Sequence, residues 1–369
     1  MEGIATTNKG IEDISASEIK EITGGKAVPS NERVIFDVSS KEEICKVSYL
    51  SQSIDTAAEI LSHFEIGSIQ DICSGFPYEK LSKWPGQSFR VSSSVIDSQL
   101  SAEEINMETG KSILEKKSKL RVDLAKPDIT VDVHIIGGHA YICIDYSGEG
   151  MSKRSYRLFS SPRNIKSNIA YCMVRMSGYK RGEALLDPFC VSGSIAIEAA
   201  IYNNMFPVRF FDKKFPFMKF TEFDFDGLDS KKNTEKNNIF AIDSQFKNVD
   251  AARKNAKVAG IHKAISFSRL DIEWLDTKFE SESIDRIVTC LPVIGRYSNR
   301  KEIMKVYSEF FHQVEFVLKP SGRIVACVKN TEEVKEKAKE HKFSILEERK
   351  VWQGEENFCI MKLAKNSTK

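Results

Sequence analysis

The sequence predicts an α/β protein in which a nucleotide-binding domain with a mainly parallel sheet follows a smaller α+β domain. From Glu183 onward, strand and helix patterns alternate, which favours a parallel sheet with helices on both faces. Residues 185–200 (LLDPFCVSGSIAIEAA) combine an apolar strand, an acidic residue, a glycine turn and a helix, as in the first unit of nucleotide-binding domains. Upstream, residues 44–146 carry alternating strands separated by Lys-Pro-Asp and Gly-Gly turns, which indicate an α+β fold.

The bulk composition narrows the class of protein. A chain of 369 residues exceeds what one hydrophobic core usually organises, so we expect two or three domains. The eight cysteines form no Cys-x-x-Cys pair and the six histidines show no metal-ligand spacing, which predicts reduced thiols and no metal site. Neither a signal peptide nor an apolar run of about 18 residues is present, which predicts a soluble, cytoplasmic protein without a membrane partner.

Ahead of the α/β region the chain divides into a first segment, 1–43, and a second, 44–150. In the second segment, apolar residues recur at helical spacing over 53–64, which predicts a helix there. The other elements expected before residue 150 are helices over 11–22 and 101–114 and strands over 33–38, 89–96, 129–135 and 141–144.

Residues 151–182 are predicted to form a basic linker with a lead-in helix. No Asp or Glu occurs from Gly150 to Gly182, and aromatic residues alternate with the basic ones. A stretch of one charge sign at a domain junction suits a surface that follows a phosphate backbone, whereas the alternative is a solvated linker and helix face. The candidate RNA contacts are Lys153, Arg154, Arg157, Arg163 and Lys166.

The first unit of the α/β region carries three candidate site residues. Asp187 ends its strand, at the edge where open parallel sheets bind ligands. Gly193 lets the backbone approach a ligand, and Ser194 is expected to cap the helix that follows.

Two further carboxylates follow strands of the same region. Asp243 ends a strand over 239–242, where a carboxylate can accept hydrogen bonds from both hydroxyls of a ribose; it also suits a turn or the start of the next helix. Asp271 follows a strand over 265–267. The later elements are predicted as helices over 302–318 and 332–341 and strands over 284–289, 324–328, 345–351 and 358–363.

An insertion over 203–238 separates the first two units and is rich in phenylalanine and lysine. Such interleaved side chains can stack on bases, but a lid that packs on the sheet explains most of the phenylalanines more simply. We therefore expect packing.

The first unit resembles the first motif of RNA methyltransferases that use S-adenosylmethionine. That motif reads Asp-Pro-Phe/Met-Cys-Gly-Ser-Gly-Thr followed by Ile-x-Ile-Glu-Ala, and this chain has Val191 in place of a glycine and Ser194 in place of the threonine. The resemblance implies a Rossmann-like class I methyltransferase domain at 183–369, with S-adenosylmethionine as cofactor and Asp271 accepting from the adenine amino group. The residues implied to hold the cofactor are Asp187, Phe189, Gly193, Ser194, Asp243 and Asp271.

The text KLRVDLAKPDITVDVHII and the closing run from Gly148 to Arg157 resemble the THUMP domain of tRNA-modifying enzymes. This resemblance implies an RNA-binding THUMP domain at 44–150, a ferredoxin-like part at 1–43 ahead of it, and tRNA as the partner. Together the two resemblances imply a tRNA guanosine N2-methyltransferase.

Methyltransferases of exocyclic base amines place Asn/Asp-Pro-Pro and an aromatic residue after the fourth strand. The side-chain oxygen and the next backbone carbonyl accept the amine hydrogens, and the aromatic ring stacks on the base. This chain has Cys290, Leu291, Pro292 and Val293 there. Arg296 matches a basic residue that often follows and is a further candidate RNA contact. A thiol accepts hydrogen bonds poorly and valine cannot stack.

Three hypotheses are open for this segment, in the order in which the sequence favours them. In the first, the chain is an N2-methyltransferase in which the Leu291 carbonyl and an aromatic residue such as Tyr297 take over the work. In the second, it is a catalytically degenerate relative that binds tRNA without methylating it. In the third, Cys290 attacks a pyrimidine for C5 methylation, which requires a lowered thiol pKa and a helper residue.

Overall fold

The computed structural model describes residues 1–81, 83–84, 86–116, 119–148, 150–160, 164–295 and 298–366. The chain divides into two compact units, and neither is one continuous stretch. The first consists of Met1–Thr7, Ser15–Met151 and Lys213–Asp224, and the second of Asn8–Ile14, Ser152–Asp212 and Phe225–Lys369.

The first unit is built on one eight-stranded sheet. Its strands are β1 (Glu2–Thr6), β2 (Ala27–Ser30), β3 (Arg33–Asp37), β4 (Thr56–Glu65), β5 (Ser88–Ile96), β6 (Arg121–Val122), β7 (Ile129–Ile136) and β8 (His139–Asp145). The helices along the same part of the chain are α1 (Glu12–Thr23), α2 (Lys41–Leu50), α3 (Ile69–Gly75), α4 (Tyr78–Leu81) and α5 (Ala102–Glu115). The strand order is β2-β3-β1-β4-β8-β7-β5-β6, and only the pairs β5-β7 and β5-β6 are parallel.

The helix predicted over 53–64 is wrong, because most of this stretch is strand β4. That strand pairs with β1 on one side and with β8 on the other, so it lies inside the sheet. Both of its faces are buried over Ala57–Glu59, and the pairing with β8 shifts register between Ile60 and Ser62. The shift breaks the alternation that identifies a strand in sequence, and the apolar residues then mimic a helical face.

The phenylalanine-rich insertion contributes core to the first unit. The rings of Phe215 and Phe217 stack with their centroids 4.9 Å apart, and the Phe215 ring meets Tyr49 edge-on at 6.1 Å. Phe220 packs against both Trp84 and Tyr146 of the same unit. Packing is confirmed for these phenylalanines, but they join the first unit and do not form the predicted lid on the sheet of the α/β region.

The second unit contains a seven-stranded sheet flanked by helices. Its strands are β9 (Leu185–Asp187), β10 (Ile239–Asp243), β11 (Ile265–Arg269), β12 (Ile284–Cys290), β13 (Leu318–Val328), β14 (Phe343–Gln353) and β15 (Glu356–Lys365). Its helices are α6 (Ser167–Met176), α7 (Ser194–Asn203), α8 (Asp226–Asp229), α9 (Phe246–Val258), α10 (Arg300–Val317) and α11 (Thr331–Glu340).

The sheet order is β11-β10-β9-β12-β13-β15-β14. The first five strands are parallel to one another, and β15 is antiparallel to both of its neighbours, β13 and β14. From β9 the chain first builds outward through β10 and β11, and then returns to the other side of β9 with β12. This reversal places a crevice at the carboxyl ends of β9, β10 and β12, where ligands bind in such sheets. The predicted Rossmann-like fold is confirmed.

The helices of this unit follow their apolar patterns. Helix α7 is buried from Ser194 to Ile201, as expected of a helix that is apolar on all sides. Helix α10 is amphipathic and buries one face against the sheet, with Phe310 and Val314 at its centre. Among the helices of the described ranges, none is both long and apolar enough to cross a membrane.

Candidate functional site

A cavity of about 470 Å³ lies along the carboxyl ends of the parallel strands in the second unit. Residues that follow β9, β10, β11, β12 and β13 all contribute to its wall. Seven residues singled out in the sequence line it together, namely Phe189, Asp243, Asp271, Cys290, Leu291, Pro292 and Val293. This edge is therefore the candidate site.

Asp187 lies at the end of β9, beneath the surface of the cavity, and is 1% exposed. Its Oδ1 accepts a hydrogen bond of 2.7 Å from the Thr289 hydroxyl and one of 3.3 Å from the backbone N–H of Phe189. Burial raises the pKa of Asp187 to about 7. The side chain thus ties the end of β9 to the end of β12, and it is not among the residues that line the cavity.

The turn after β9 contains a valine in a glycine conformation. Val191 has φ of +49°, a region in which a β-branched residue is a genuine outlier. Its backbone N–H donates to Oδ2 of Asp243 over 3.1 Å, which holds the turn against the end of β10. The turn therefore keeps the shape that a glycine would give it, although its side chain lines the cavity.

Gly193 packs the turn against a helix, and Ser194 does not have its predicted capping role. A Cβ on Gly193 would lie 2.9 Å from Cβ of Ala252 on α9, so this glycine allows the turn to pack on a helix. Gly193, not Ser194, is the N-cap residue of α7. The prediction that Ser194 caps the helix is wrong, because the helix begins one residue earlier and buries the hydroxyl, for which no partner is found within the described ranges.

Asp243 lies where its carboxylate can face a ligand, and it also organises the backbone. Its Oδ1 accepts from the backbone N–H of Gln245 at 2.9 Å and from Nδ2 of Asn248 at 3.0 Å. With the bond from Val191, three of about four acceptor positions are filled. Within the described residues one acceptor position is left, so the geometry is compatible with the turn role and with a hydrogen bond from one ribose hydroxyl.

Asp271 begins the short 3₁₀ helix Ile272–Thr277, and its Oδ1 accepts from the backbone N–H of Ile272 at 2.7 Å. It lines the same cavity as Asp243. The two acidic residues come from neighbouring parallel strands, β10 and β11. This pairing at one edge is what the sequence predicted.

The segment after β12 presents little polar chemistry to the cavity. A hydrogen bond to the Cys327 thiol and burial raise the pKa of Cys290 well above its usual value. The carbonyl of Pro292 accepts from the Tyr307 hydroxyl, and Val293 is 39% exposed. A raised thiol pKa is the opposite of what nucleophilic attack by Cys290 requires, so the C5 hypothesis loses its support.

The basic linker divides into exposed and buried positions. Lys153 is exposed, and Arg157 and Lys166 are partly buried. Arg154 is 5% exposed and its guanidinium is bonded to Glu198, so its prediction as an RNA contact is wrong. Two predicted contacts, Arg163 and Arg296, lie outside the described residues, as does Tyr297.

Asn255 was missed by the sequence reasoning, and it connects this linker to the turn after β9. Its Oδ1 accepts from the backbone N–H of Phe159 at 3.0 Å, and its Nδ2 donates to the carbonyls of Phe159 and Ser192 at 2.9 and 3.0 Å. The available signal was an asparagine on the otherwise apolar face of α9, next to Ala252 and Ala256. A polar residue on a buried face needs partners, and here those partners are backbone groups of two loops.

Two domain families match the chain. The family described as RMKL-like, methyltransferase domain matches residues 154–357, which is more than half of the chain. The THUMP domain family matches residues 67–145.

Two archaeal relatives match over most of their length. The chain is 29% identical over 372 residues to the tRNA (guanine(6)-N2)-methyltransferase of Methanocaldococcus jannaschii, covering 96% of this chain and 97% of that protein. It is 25% identical over 330 residues to the enzyme of the same name from Archaeoglobus fulgidus, covering 87% and 81%.

Solved structures share the fold over the whole chain. TrmN from Thermus thermophilus matches with a TM-score of 0.76 at 20% identity, covering 99% of both chains. SMU.472, crystallised as a complex with SAH, matches with a TM-score of 0.81 at 20% identity, covering 100% of this chain and 99% of that one.

Proposed function

Because the chain belongs to the RMKL-like methyltransferase family, we propose that it transfers a methyl group from S-adenosylmethionine to the exocyclic N2 amine of a guanosine in tRNA. The observation that carries the proposal is that one cavity is lined by Asp243, Asp271 and the segment 290–293. A cofactor pocket and the amine-binding position of the resembling enzymes therefore coincide at one sheet edge. The THUMP domain and the names of the two archaeal relatives support tRNA as the substrate.

The residues present fit S-adenosylmethionine. Its ribose hydroxyls and adenine amino group are hydrogen-bond donors, and the cavity offers two carboxylate acceptors from adjacent strands, Asp243 and Asp271. Phe189 supplies an apolar ring in the same wall. When bound, the cofactor supplies an electrophilic methyl group on a sulfonium sulfur.

This chain's own residues bind and orient the cofactor and the amine, and they exclude water. Asp243 would hold the ribose, and Asp271 the adenine, as acceptors at the β10 and β11 end of the cavity. The apolar walls at Leu291, Ile303 and Phe358 lower the local water content around the reacting amine. Holding amine and methyl donor in one cavity converts a two-body encounter into a single oriented complex.

We also propose that Lys153, Arg157 and Lys166 contact the tRNA backbone, and that the chain comprises a ferredoxin-like part at 1–43, a THUMP domain at 44–150, a basic linker at 151–182 and a methyltransferase domain at 183–369. The acid-free run of the linker supports the contacts. Each lysine or arginine placed near a phosphate releases counterions and strengthens binding without reading sequence.

The proposal is tested first by titration calorimetry with S-adenosylmethionine and S-adenosylhomocysteine. We expect saturable binding in the wild type and its loss in Asp243→Ala. The matched control is Asp250→Ala on α9, whose carboxylate pairs with Lys254 at 2.7 Å and which is not among the residues that line the cavity. The control should bind like the wild type.

The second test is methylation of a tRNA transcript with guanosine at position 6, the position in the names of both archaeal relatives. Mass spectrometry of the nucleosides should show N2-methylguanosine in that transcript and none when position 6 is inosine. Retention of tRNA without cofactor binding or methylation would instead favour the degenerate RNA-binding relative.

A further inference from the structure

The segment after β12 leaves one chemical requirement unmet. The resembling amine methyltransferases offer a carboxamide or carboxylate oxygen at the position of Cys290, next to a backbone carbonyl. Here the thiol of Cys290 is a poor acceptor. The carbonyl of Pro292 already accepts from Tyr307, so the carbonyl of Leu291 is the backbone acceptor left in this segment. If the chain methylates an amine, another residue must accept one of its hydrogens.

Asn164 brings a carboxamide to the same cavity from outside this segment. It lies within the basic linker, just before α6, and it lines the cavity together with Cys290, Leu291 and Val293. Its Nδ2 is buried, and no hydrogen-bond partner for it exists among the described residues. A buried amide nitrogen without a partner costs about 1–3 kcal/mol, which a bound ligand with an acceptor would remove.

The backbone that follows Asn164 is well anchored. The next residue, Ile165, is 7% exposed and packs in the main core of the unit. After it, the backbone N–H of Lys166 donates to Oε1 of Gln353 at 2.6 Å, and α6 begins at Ser167. The carboxamide is therefore carried by a fixed stretch of chain, as a substrate-positioning group requires.

A carboxamide matches the edge of guanine that carries the target amine. On that edge the N2 amine is a donor and the adjacent ring nitrogen N3 is an acceptor. A carboxamide presents an acceptor oxygen and a donor nitrogen side by side, and rotation of the amide interchanges them. One amide can thus accept an amine hydrogen and donate to N3 at the same time.

Building on the proposed function, we propose that Asn164 supplies the carboxamide that position 290 lacks and binds the target guanine through its N2 amine and N3. The second amine hydrogen is then left for the backbone carbonyl of Leu291. The lone pair of N2 forms the new N–C bond as the C–S bond breaks, its electrons go to sulfur, and N2 releases one proton to water.

The test measures binding, so that it does not depend on turnover. With S-adenosylhomocysteine bound, the wild type should prefer a tRNA with guanosine at position 6 over the same tRNA with inosine by about 25-fold, the worth of two hydrogen bonds of about fivefold each. Inosine differs from guanosine only by the missing amine. Asn164→Ala should keep only about fivefold of this preference, because the Leu291 carbonyl still accepts one amine hydrogen.

Two variants serve as controls. Lys153→Ala, on the exposed part of the linker, should weaken binding of both tRNAs by the same factor and keep the preference. Asn164→Asp keeps the size of the side chain and an acceptor for the amine, so it should retain the preference even if Asn164→Ala does not fold.

Turnover supplies a third readout. Asn164→Ala should lower kcat about 100-fold with S-adenosylmethionine affinity unchanged, and adding Cys290→Asn, which restores the missing carboxamide, should recover at least tenfold of that loss. A preference for guanosine that is as large in Asn164→Ala as in the wild type overturns the role of Asn164 and leaves the proposed function standing. A wild type that neither prefers guanosine nor methylates it overturns both.

Discussion

The guanidinium of Arg154 and the carboxylate of Glu198 form a doubly hydrogen-bonded ion pair, with Nε–Oε1 and Nη2–Oε2 distances of 3.0 and 3.2 Å. Their side chains are 1% and 0% exposed, and the Tyr156 hydroxyl also donates to Oε1 of Glu198 at 2.7 Å. The pair fastens the start of the basic linker to α7, directly behind the turn that follows β9. The charge of Arg154 is thus used for folding.

Removing one partner of this pair should destabilise the protein strongly. Glu198→Ala leaves a buried guanidinium without its carboxylate, and we expect the free energy of unfolding to fall by about 3–5 kcal/mol. The apolar pair Arg154→Met with Glu198→Leu should lose much less, since no charge stays buried. Urea unfolding of the three proteins checks this, and an equal loss in the single and double variants would contradict it.

The raised pKa of Asp187 predicts a pH dependence of stability. The carboxyl has a pKa of about 7 in the folded protein and an ordinary value of 3.8, so the folded state holds a proton that the unfolded chain releases. The resulting stabilisation is complete below about pH 4 and is lost as pH rises through 7. Between pH 5 and 8 the wild type should lose roughly 3 kcal/mol that Asp187→Asn does not lose.

The asparagine variant is a fair reference because its amide oxygen can still accept from Thr289. Unfolding measured by urea at pH 5, 6, 7 and 8 gives both curves. Parallel curves for the wild type and Asp187→Asn would show that another group governs this range.

Val191→Gly should improve cofactor binding. Glycine adopts a φ of +49° without the strain of about 1–2 kcal/mol that a side chain brings there, and it clears the cavity wall. We expect affinity for S-adenosylmethionine to rise several-fold by calorimetry, with the free energy of unfolding changed by less than about 1 kcal/mol because glycine also loosens the unfolded chain. Val191→Ala keeps a Cβ in the same strained backbone and should gain little.

Asn255→Ala should weaken the anchoring of both the linker and the turn after β9. It leaves the N–H and carbonyl of Phe159 and the carbonyl of Ser192 without their partner, and we expect a loss of about 2–3 kcal/mol in unfolding free energy. Affinity for S-adenosylhomocysteine and for tRNA should both fall. Lys257→Ala, two residues away on the exposed side of α9, is the control and should change neither by more than twofold.

Lys153→Ala should reveal its phosphate contact in the salt dependence of tRNA binding. The slope of the logarithm of affinity against the logarithm of salt concentration should decrease by about 0.7–0.9, the change expected for one lost contact. Arg154→Lys, which alters a buried position, should leave the slope unchanged in any folded fraction. An unchanged slope in Lys153→Ala would exclude that side chain from the interface.

The sequence located the first parallel strands of the second unit because β9 to β12 are short and are followed by turns. Asp243 and Asp271 were located from their places at strand ends, and the structure puts both on one cavity. The helix predicted over 53–64 failed because pairing with β1 and β8, which no local pattern records, decides the conformation of that stretch.

Charge was the other source of error. Arg154 and Lys153 are adjacent basic residues, and nothing in the local sequence separates their roles. The buried Glu198, 44 positions later, is what makes Arg154 a core residue. Asn164 and Asn255 carried no motif, because their chemistry depends on which loops meet their side chains.

The contribution of Lys213–Asp224 to the first unit has a consequence for how the protein is made. Phe215, Phe217 and Phe220 belong to the aromatic core around Tyr49 and Tyr146, yet they are translated after the first unit's own strands and after α7 of the second. The nascent chain must therefore hold the amino-terminal sheet with an incomplete aromatic core until about residue 224 has left the ribosome. A truncation after Met151 would lack these rings, so the amino-terminal part expressed alone would expose an aromatic cluster and be prone to aggregate.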